Sequence, residues 1–146
     1  MKTPLCIVVF FLLVSCAKDT DTEQGAQISK IAFLGELDWV KSFGGSGDDT
    51  ARAIISTTDG GYAILGFSDS TDGDLAEKTI AVNDYWLLKL DGDGNLEWSK
   101  TYGGSKDDRG QSLVQTKDGG YALTGYAMSS DGDGTINNGF HDNWLL

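Results

Sequence analysis

Residues 37–49 read LDWVKSFGGSGDD, and residues 96–108 read LEWSKTYGGSKDD. These two stretches open a longer internal repeat, because residues 37–75 and 96–134 align without a gap at an offset of 59 and are identical at 19 of 39 positions. A period of this size is typical of solenoids, propellers and arrays, in which one unit buries its apolar face by stacking on its neighbour. The repeat therefore predicts an array of similar small units.

A second motif, Asp-x-Trp-Leu-Leu, continues the repeat at an offset of 58. It relates Asp84, Trp86, Leu87 and Leu88 to Asp142, Trp144, Leu145 and Leu146. Short apolar runs that alternate with Gly- and Asp-rich turns predict antiparallel strands, and no stretch shows sustained helical spacing. Gly60 and Gly119 are expected to adopt the positive φ of a tight turn. The predicted strands are residues 53–57, 62–67, 84–90, 96–102, 111–116 and 121–126.

These features predict an all-β fold made of four-stranded antiparallel blades in a β-propeller-like array. About two repeats are present, over residues 44–102 and 103–146, and residues 30–43 supply an N-terminal half-repeat. Common blades have periods of roughly 40 to 50 residues, so the surplus of the 59-residue period is expected in two loops, residues 68–83 and 127–141. A small β-sandwich or barrel is the alternative.

Residues 1–16 have the layout of a signal peptide, in which Lys2 is followed by an apolar run and then by Cys16. The apolar run, residues 5–14, is shorter than the roughly 20 residues that a membrane-spanning helix needs. Residues 17–29 are polar and lack periodicity, so we expect them to form a flexible tether.

The stretch Leu13-Val14-Ser15-Cys16 resembles the lipobox of bacterial lipoproteins. This resemblance implies cleavage before Cys16 and acylation of that residue, for example with palmitate. Lys18 followed by acidic residues resembles the surface-export tether of Bacteroidetes-type lipoproteins. The implied location is the bacterial outer membrane, lipid-anchored and exposed at the cell surface. An ordinary secretory signal with an incidental Cys, followed by a solvated linker, is the alternative.

From Lys30 to Leu146 the tandem motifs W-x-K-x-[FY]-G-G-S-x-D-D, D-G-G-Y and D-x-W-L-L resemble the repeats of β-propeller-type lipoproteins of the Bacteroidetes. The resemblance implies a propeller fold with a lectin-like or glycosidase-related role. A closed propeller needs roughly four to eight blades, so the chain is expected to be a piece of a longer protein. Alternatively, residues 30–43 and the last strands complement each other between copies, and several copies self-associate to close one ring.

The charge of the chain limits its partners. After removal of residues 1–16, which hold one Lys and no acidic residue, 10 basic and 22 acidic residues remain. Such a surface repels nucleic acid and anionic lipid, so no nucleic-acid partner is expected and the membrane is expected to be contacted through the lipid anchor. No Cys follows Cys16, so no internal disulfide is expected.

Paired carboxylates at Asp48-Asp49 and Asp107-Asp108 are of the residue type that a glycosidase uses. Because the pairs recur at the same place in each repeat, we interpret them as turn and cap residues that accept backbone hydrogen bonds. The long loops contain four candidate Ca²⁺ ligands, Asp72, Asp74, Asp131 and Asp133. No other cofactor is expected, and no residue is assigned a catalytic role.

Aromatic residues recur in register with the repeat. We interpret them as core between the units, with stacking on sugar rings as the alternative. They are Trp39, Trp86, Trp98, Trp144, Tyr62 and Tyr121. His141 is the only histidine and is expected to be exposed in a loop.

Two classes of function remain. The first is a non-enzymatic surface module that binds a glycan or a protein through loops at one end of the blades. The second is a blade segment of a secreted glycan-degrading enzyme related to glycoside hydrolases. Glu77, beside Lys78, is the only non-repeated Glu in the long loops, and no repeat-breaking pair of carboxylates is evident. That pattern favours the binding module.

Overall fold

The computed structural model describes residues 35–134 and 136–146, which form two antiparallel β-sheets. The first sheet contains β1 (Asp49–Ser56), β2 (Tyr62–Ser68), β3 (Asp84–Leu90) and β4 (Leu96–Tyr102). The second sheet contains β5 (Asp108–Gln115), β6 (Tyr121–Ala127) and β7 (Asp142–Leu145). In this part of the chain a 3-10 turn at Gly73–Leu75 is the only helical element, and neither sheet closes into a barrel. The prediction of an all-β fold is confirmed.

Several sequence predictions fall outside the described residues. They are the signal peptide over residues 1–16, lipidation at Cys16, the tether over residues 17–29 and the first part of the half-repeat, residues 30–34. They remain predictions.

Both sheets are meanders, in which each strand pairs with its neighbours in sequence. The six predicted strands are present, and the Asp-x-Trp-Leu motif adds β7. Two strands begin earlier than predicted, β1 at Asp49 and β5 at Asp108. The reason is a β-bulge at Arg52, repeated at Gln111, which lets the polar start of each strand keep its pairing with the next strand.

The turn glycines behave as the sequence predicts. Gly60 and Gly119 have φ values of 85° and 89°. In the first turn the Thr57 N–H donates to the Gly61 carbonyl oxygen at 2.9 Å, and the Gly61 N–H donates to Asp59 Oδ1 at 3.1 Å. A Cβ at Gly60 or Gly119 would meet no atom within 4 Å, so the backbone conformation alone selects glycine there.

Alternation along the strands gives each sheet two faces. The back face of the first sheet carries Ala63, Leu65, Tyr85 and Leu87, and its front face carries Ile64, Gly66, Trp86 and Leu88. By repeat position, the front face of the second sheet carries Tyr121, Leu123, Gly125 and Trp144, and its back face carries Ala122, Thr124, Asn143 and Leu145.

The two sheets stack head to tail, with the front face of the second sheet on the back face of the first. The buried core between them consists of Ala63, Leu65, Tyr85, Leu87, Leu113 and Leu123. Trp144 packs beside Tyr85 with ring centroids 5.8 Å apart. Apolar residues of both repeats therefore share one core.

The front face of the first sheet has no sheet packed on it among the described residues, and residues 37–43 cover part of it. These residues belong to no strand. Phe43 packs against a second buried cluster formed by Leu75, Trp86 and Leu88.

One aromatic contact recurs on both front faces. Trp98 in β4 lies edge-on to Tyr121 with ring centroids 5.9 Å apart, and Trp39 lies edge-on to Tyr62 at 6.0 Å. The interpretation of the repeated aromatics as core between units is therefore confirmed for Tyr121 and Trp144, which pack against the buried core, whereas Trp98 is 36% exposed and lies outside it.

Candidate functional site

The repeated G-G-S loop and the S-x-D-G-D loop are tied together by hydrogen bonds from backbone to side chain. In the first repeat the Gly44 N–H donates to Asp74 Oδ2 at 2.9 Å, and the Ser46 N–H donates to Asp72 Oδ1 at 2.7 Å. The same bonds recur in the second repeat at 3.0 and 2.9 Å, from Gly103 to Asp133 and from Ser105 to Asp131. All four candidate Ca²⁺ ligands therefore accept backbone hydrogen bonds.

Two of the paired carboxylates have the same structural use. Asp49 Oδ2 accepts a hydrogen bond from the Gly45 N–H at 2.9 Å, and Asp108 Oδ2 accepts one from the Gly104 N–H at 3.0 Å. These contacts confirm that Asp49 and Asp108 satisfy N–H groups of Gly-rich loops. Asp107 differs, because its carboxylate accepts hydrogen bonds from side chains. Across residues 35–134 and 136–146, no group of three or more His, Cys, Asp or Glu residues is placed to hold a metal ion.

A buried lysine breaks the repeat in the loop before β3. The Lys78 Nζ donates to two carbonyl oxygens of its own loop, including that of Val82 at 2.6 Å, and lies 3.5 Å from Asp84 Oδ2. In the second repeat Asp142, the counterpart of Asp84, instead accepts from the backbone N–H of Asn138 at 2.5 Å. The Lys78–Asp84 pair thus makes this loop of the first repeat different from its copy.

Two adjoining clefts of about 270 and 260 Å³ lie along this loop and share Glu77, Lys78 and Thr101. We call the two clefts together the polar groove. Its other polar side chains are Asp74, Thr79, Asp84, Ser99, Lys100 and Asp133. Carboxylates, hydroxyl groups and two ammonium groups thus line one groove, which offers both donors and acceptors.

Asp84 has the most unusual environment in the polar groove. Its residue surface is 8% exposed, and Oδ1 has no hydrogen-bond partner among the described residues. Burial raises the pKa of Asp84 to about 6; Lys78 opposes that rise, while the nearby charges of Asp108 and Asp133 add to it. The carboxylate lies against the α-carbon of Gly103, where a Cβ would overlap with Oδ1.

A different cleft, of about 300 Å³, lies on the front face of the first sheet. Its lining is mainly apolar and includes Trp39, Phe43, Ile54, Ile64 and Trp86. Lys41 at its margin donates a hydrogen bond to Asn95 Oδ1 at 3.2 Å. This apolar cleft and the polar groove differ in the chemistry of what they can bind.

Sequence reasoning missed the environment of Lys89, whose residue surface is 4% exposed. Its Nζ donates to Glu97 Oε2 at 2.7 Å and lies 2.9 Å from Asp59 Oδ2. Burial lowers the pKa of Lys89, but the hydrogen bonds to Glu97 and Asp59 outweigh it and leave the pKa above its ordinary value. Lys89 lies near the end of β3 opposite to Asp84, so it holds the strand and takes no part in the polar groove.

His141 is exposed in the loop before β7, as the sequence predicts. Its ring lies beside those of Tyr126 and Phe140, with centroids 4.4 and 4.5 Å away.

Comparison with known proteins finds no family model that matches the chain and no similar curated protein. Within residues 35–134 and 136–146, the structure contains no helix with the length and apolar character that a membrane crossing requires.

Proposed function

We propose that the chain is a surface-anchored lipoprotein whose β-propeller-like repeats act as a non-enzymatic binding module for a glycan or a protein. The observation that carries this proposal is the polar groove beside the repeat-breaking residues Glu77 and Lys78. The Lys78–Asp84 pair has no copy in the second repeat, so the polar groove differs from the equivalent region of that repeat.

The chemistry of the polar groove favours a glycan as ligand. Sugars present many hydroxyl groups, and a groove with several carboxylates, hydroxyl groups and two ammonium groups offers partners for them. Lys78 is occupied by its own loop. The groups left for a ligand therefore include Glu77, Ser99, Lys100 and Thr101.

The sheet topology supports the propeller-like interpretation of the fold over a β-sandwich. Both sheets are simple meanders of consecutive strands, whereas β-sandwiches of the immunoglobulin type exchange strands between sheets through Greek-key connections. The sheets also stack with equivalent faces in one direction, front on back, as successive blades do.

The proposed location follows from the resemblance of residues 13–16 to a lipobox. Replacing Cys16 with Ser is expected to release the protein from the membrane fraction or to leave the precursor uncleaved. A Cys16→Ser protein that stays membrane-bound at its mature size would contradict the anchor.

The environment of Asp84 supports a second candidate function, in which the chain is a blade segment of a glycan-degrading enzyme. A carboxylic acid with a pKa of about 6 is suited to donate a proton to a leaving group near neutral pH, and Asp133 and Glu77 line the same cleft. The contact of Asp84 with Lys78 and its burial are equally explained by its place at the start of β3.

A glycan-array measurement on the full chain, run beside a hydrolysis assay on the same polysaccharides, separates the two functions. Glu77→Gln is expected to weaken glycan binding by about ten-fold or more, since a hydrogen bond to a charged group contributes roughly 1.5–3 kcal/mol. Asp93→Asn, in an exposed turn outside the groove, is the matched control and is expected to bind as the wild type does. Equal binding by Glu77→Gln and wild type would remove the groove as the site. Hydrolysis by the wild type that is lost in Asp84→Asn would show that the chain acts as part of an enzyme rather than as a binding module.

A further inference from the structure

The outer edge of β7 is open in the described part of the chain. In the first sheet β3 pairs with β2 on one side and with β4 on the other. Its counterpart β7 pairs with β6 on one side and with no described strand on the other. Leu145 in β7 is 78% exposed. An unpaired edge of this kind is a template for another strand.

Residues 37–43, LDWVKSF, are the sequence counterpart of β4, LEWSKTY, and we call them the donor segment. In the folded chain the donor segment touches the front face of the first sheet as β4 touches the front face of the second. Trp39 meets Tyr62 at an interplanar angle of 68°, and Trp98 meets Tyr121 at 66°. The donor segment therefore lies where the last strand of a preceding sheet would lie.

No described strand accompanies the donor segment as the rest of that preceding sheet. Unlike β4, it pairs with no described strand, and its Val40 is 72% exposed. Among the described residues, a segment that matches β4 thus has no sheet of its own, and the second sheet has no fourth strand.

We propose that the donor segment of one copy pairs with the open edge of β7 in a second copy and completes its sheet. The register follows from the pairing of β3 with β4, in which Leu87 lies opposite Lys100 and Tyr85 lies opposite Tyr102. Applying the repeat offsets places Lys41 opposite the second copy's Leu145 and Phe43 opposite its Asn143. This is strand addition, in which backbone hydrogen bonds and alternate side-chain contacts act together.

The same pairing brings a partner onto the apolar cleft of the front face. In the stack within one chain, Tyr85 reaches over Gly125, next to Trp144. Between copies, the second copy's Asn143 takes the place of Tyr85 and faces Gly66, next to Trp86.

A contact of this kind is head to tail, so it closes into a ring or continues as a filament. The described part of each copy contributes two sheets. Propellers close with about four to eight blades, which corresponds to rings of about two to four copies. The inference stands apart from any ligand of the polar groove.

Site-directed cross-linking tests the register. The full chain with Cys6→Ser and Cys16→Ser, kept in mild detergent, is prepared as Lys41→Cys and, separately, as Leu145→Cys. When the two are mixed and oxidised, a disulfide-linked dimer of unlike chains is expected, because residues directly opposite in antiparallel strands are close enough to bridge. Asp93→Cys, in an exposed turn, replaces Leu145→Cys in the control mixture. Cross-linking no greater than in the control would overturn the proposal.

Mass measurement by light scattering supplies a test without cysteines. The wild-type chain is expected to have the mass of two or more copies. Lys41→Pro should reduce it to one copy, because proline has no N–H to donate to the second copy's β7 and Lys41 pairs with no described strand in its own chain. Lys41→Thr is the matched control and should keep the larger mass. A wild type that is monomeric at high micromolar concentration, or a Lys41→Pro chain with unchanged mass, would overturn the proposal.

Discussion

Trp98, in the last strand of the first sheet, lies edge-on to Tyr121 in the second sheet with ring centroids 5.9 Å apart. The contact joins the end of one repeat to the next, and Trp39 makes the same contact with Tyr62 at 6.0 Å. Each repeat is therefore contacted by the segment before it, which is β4 for the second repeat and residues 37–43, outside any strand, for the first. The repeated sequence thus encodes the stacking of the sheets as well as their strands.

The tight turns give a first prediction. Gly119→Val is expected to destabilise the protein by more than about 1 kcal/mol, because a β-branched residue tolerates a positive φ poorly. Gly139→Val is the matched control, since Gly139 also has open space around it but no positive φ, and it should cost much less. Chemical denaturation measures both. Equal costs at the two positions would show that the turn conformation does not select glycine.

The buried Lys89 gives a second prediction, an asymmetry between the partners of one ion-pair network. Lys89→Met is expected to change stability by no more than about 1 kcal/mol, because the carboxylates left behind are exposed and solvated. Asp59→Asn combined with Glu97→Gln should destabilise more than Lys89→Met, because it leaves a buried ammonium group without a charged partner. Thermal melts of the two variants decide the order. A larger destabilisation by Lys89→Met than by the double variant would contradict the burial of Lys89.

The pH dependence of Asp84 gives a third prediction. Its pKa in the folded chain is about 6, above the ordinary value of 3.8. The folded state therefore binds the proton more tightly, and this group's contribution to stability is present below about pH 4 and is lost as the pH rises through 6. The free energy of unfolding of Asp84→Asn, relative to that of the wild type, should rise by up to about 3 kcal/mol between pH 4 and pH 7, since one pKa unit corresponds to about 1.4 kcal/mol. Denaturation of both proteins across this range measures the difference, and parallel curves would show that burial does not raise the pKa of Asp84.

Much of the fold follows from the sequence because strand and turn signals are local. The Asp-Gly-Gly turns and the alternating runs predicted the hairpins, and Gly60 and Gly119 have the predicted positive φ. The early starts of β1 and β5 were not predicted, since Gly and Asp residues are typical of loops. A bulge, which places Arg52 opposite no partner, keeps such a segment in the sheet, and no local propensity encodes it.

The candidate site was harder to predict because its contacts are non-local. Asp84 recurs as Asp142, so the sequence pattern does not set it apart from its copy. The two copies differ by Lys78, whose ammonium group donates to a carbonyl oxygen of its own loop and forms an ion pair with Asp84. The sequence marked Lys78 only as a neighbour of the non-repeated Glu77. Burial of both side chains is a property of the packed sheets and loops together.

The central claim is that residues 37–43 lie against the front face of the first sheet, where the fourth strand of a preceding sheet would lie. A double-mutant cycle on Trp39 and Tyr62, measured by chemical denaturation at a concentration where the chain is monomeric, tests it most directly. The same cycle on Trp98 and Tyr121 is the reference. We expect a coupling energy of about 0.5–1.5 kcal/mol for each pair, as for other edge-on aromatic pairs. Coupling between Trp98 and Tyr121 with none between Trp39 and Tyr62 would contradict the claim.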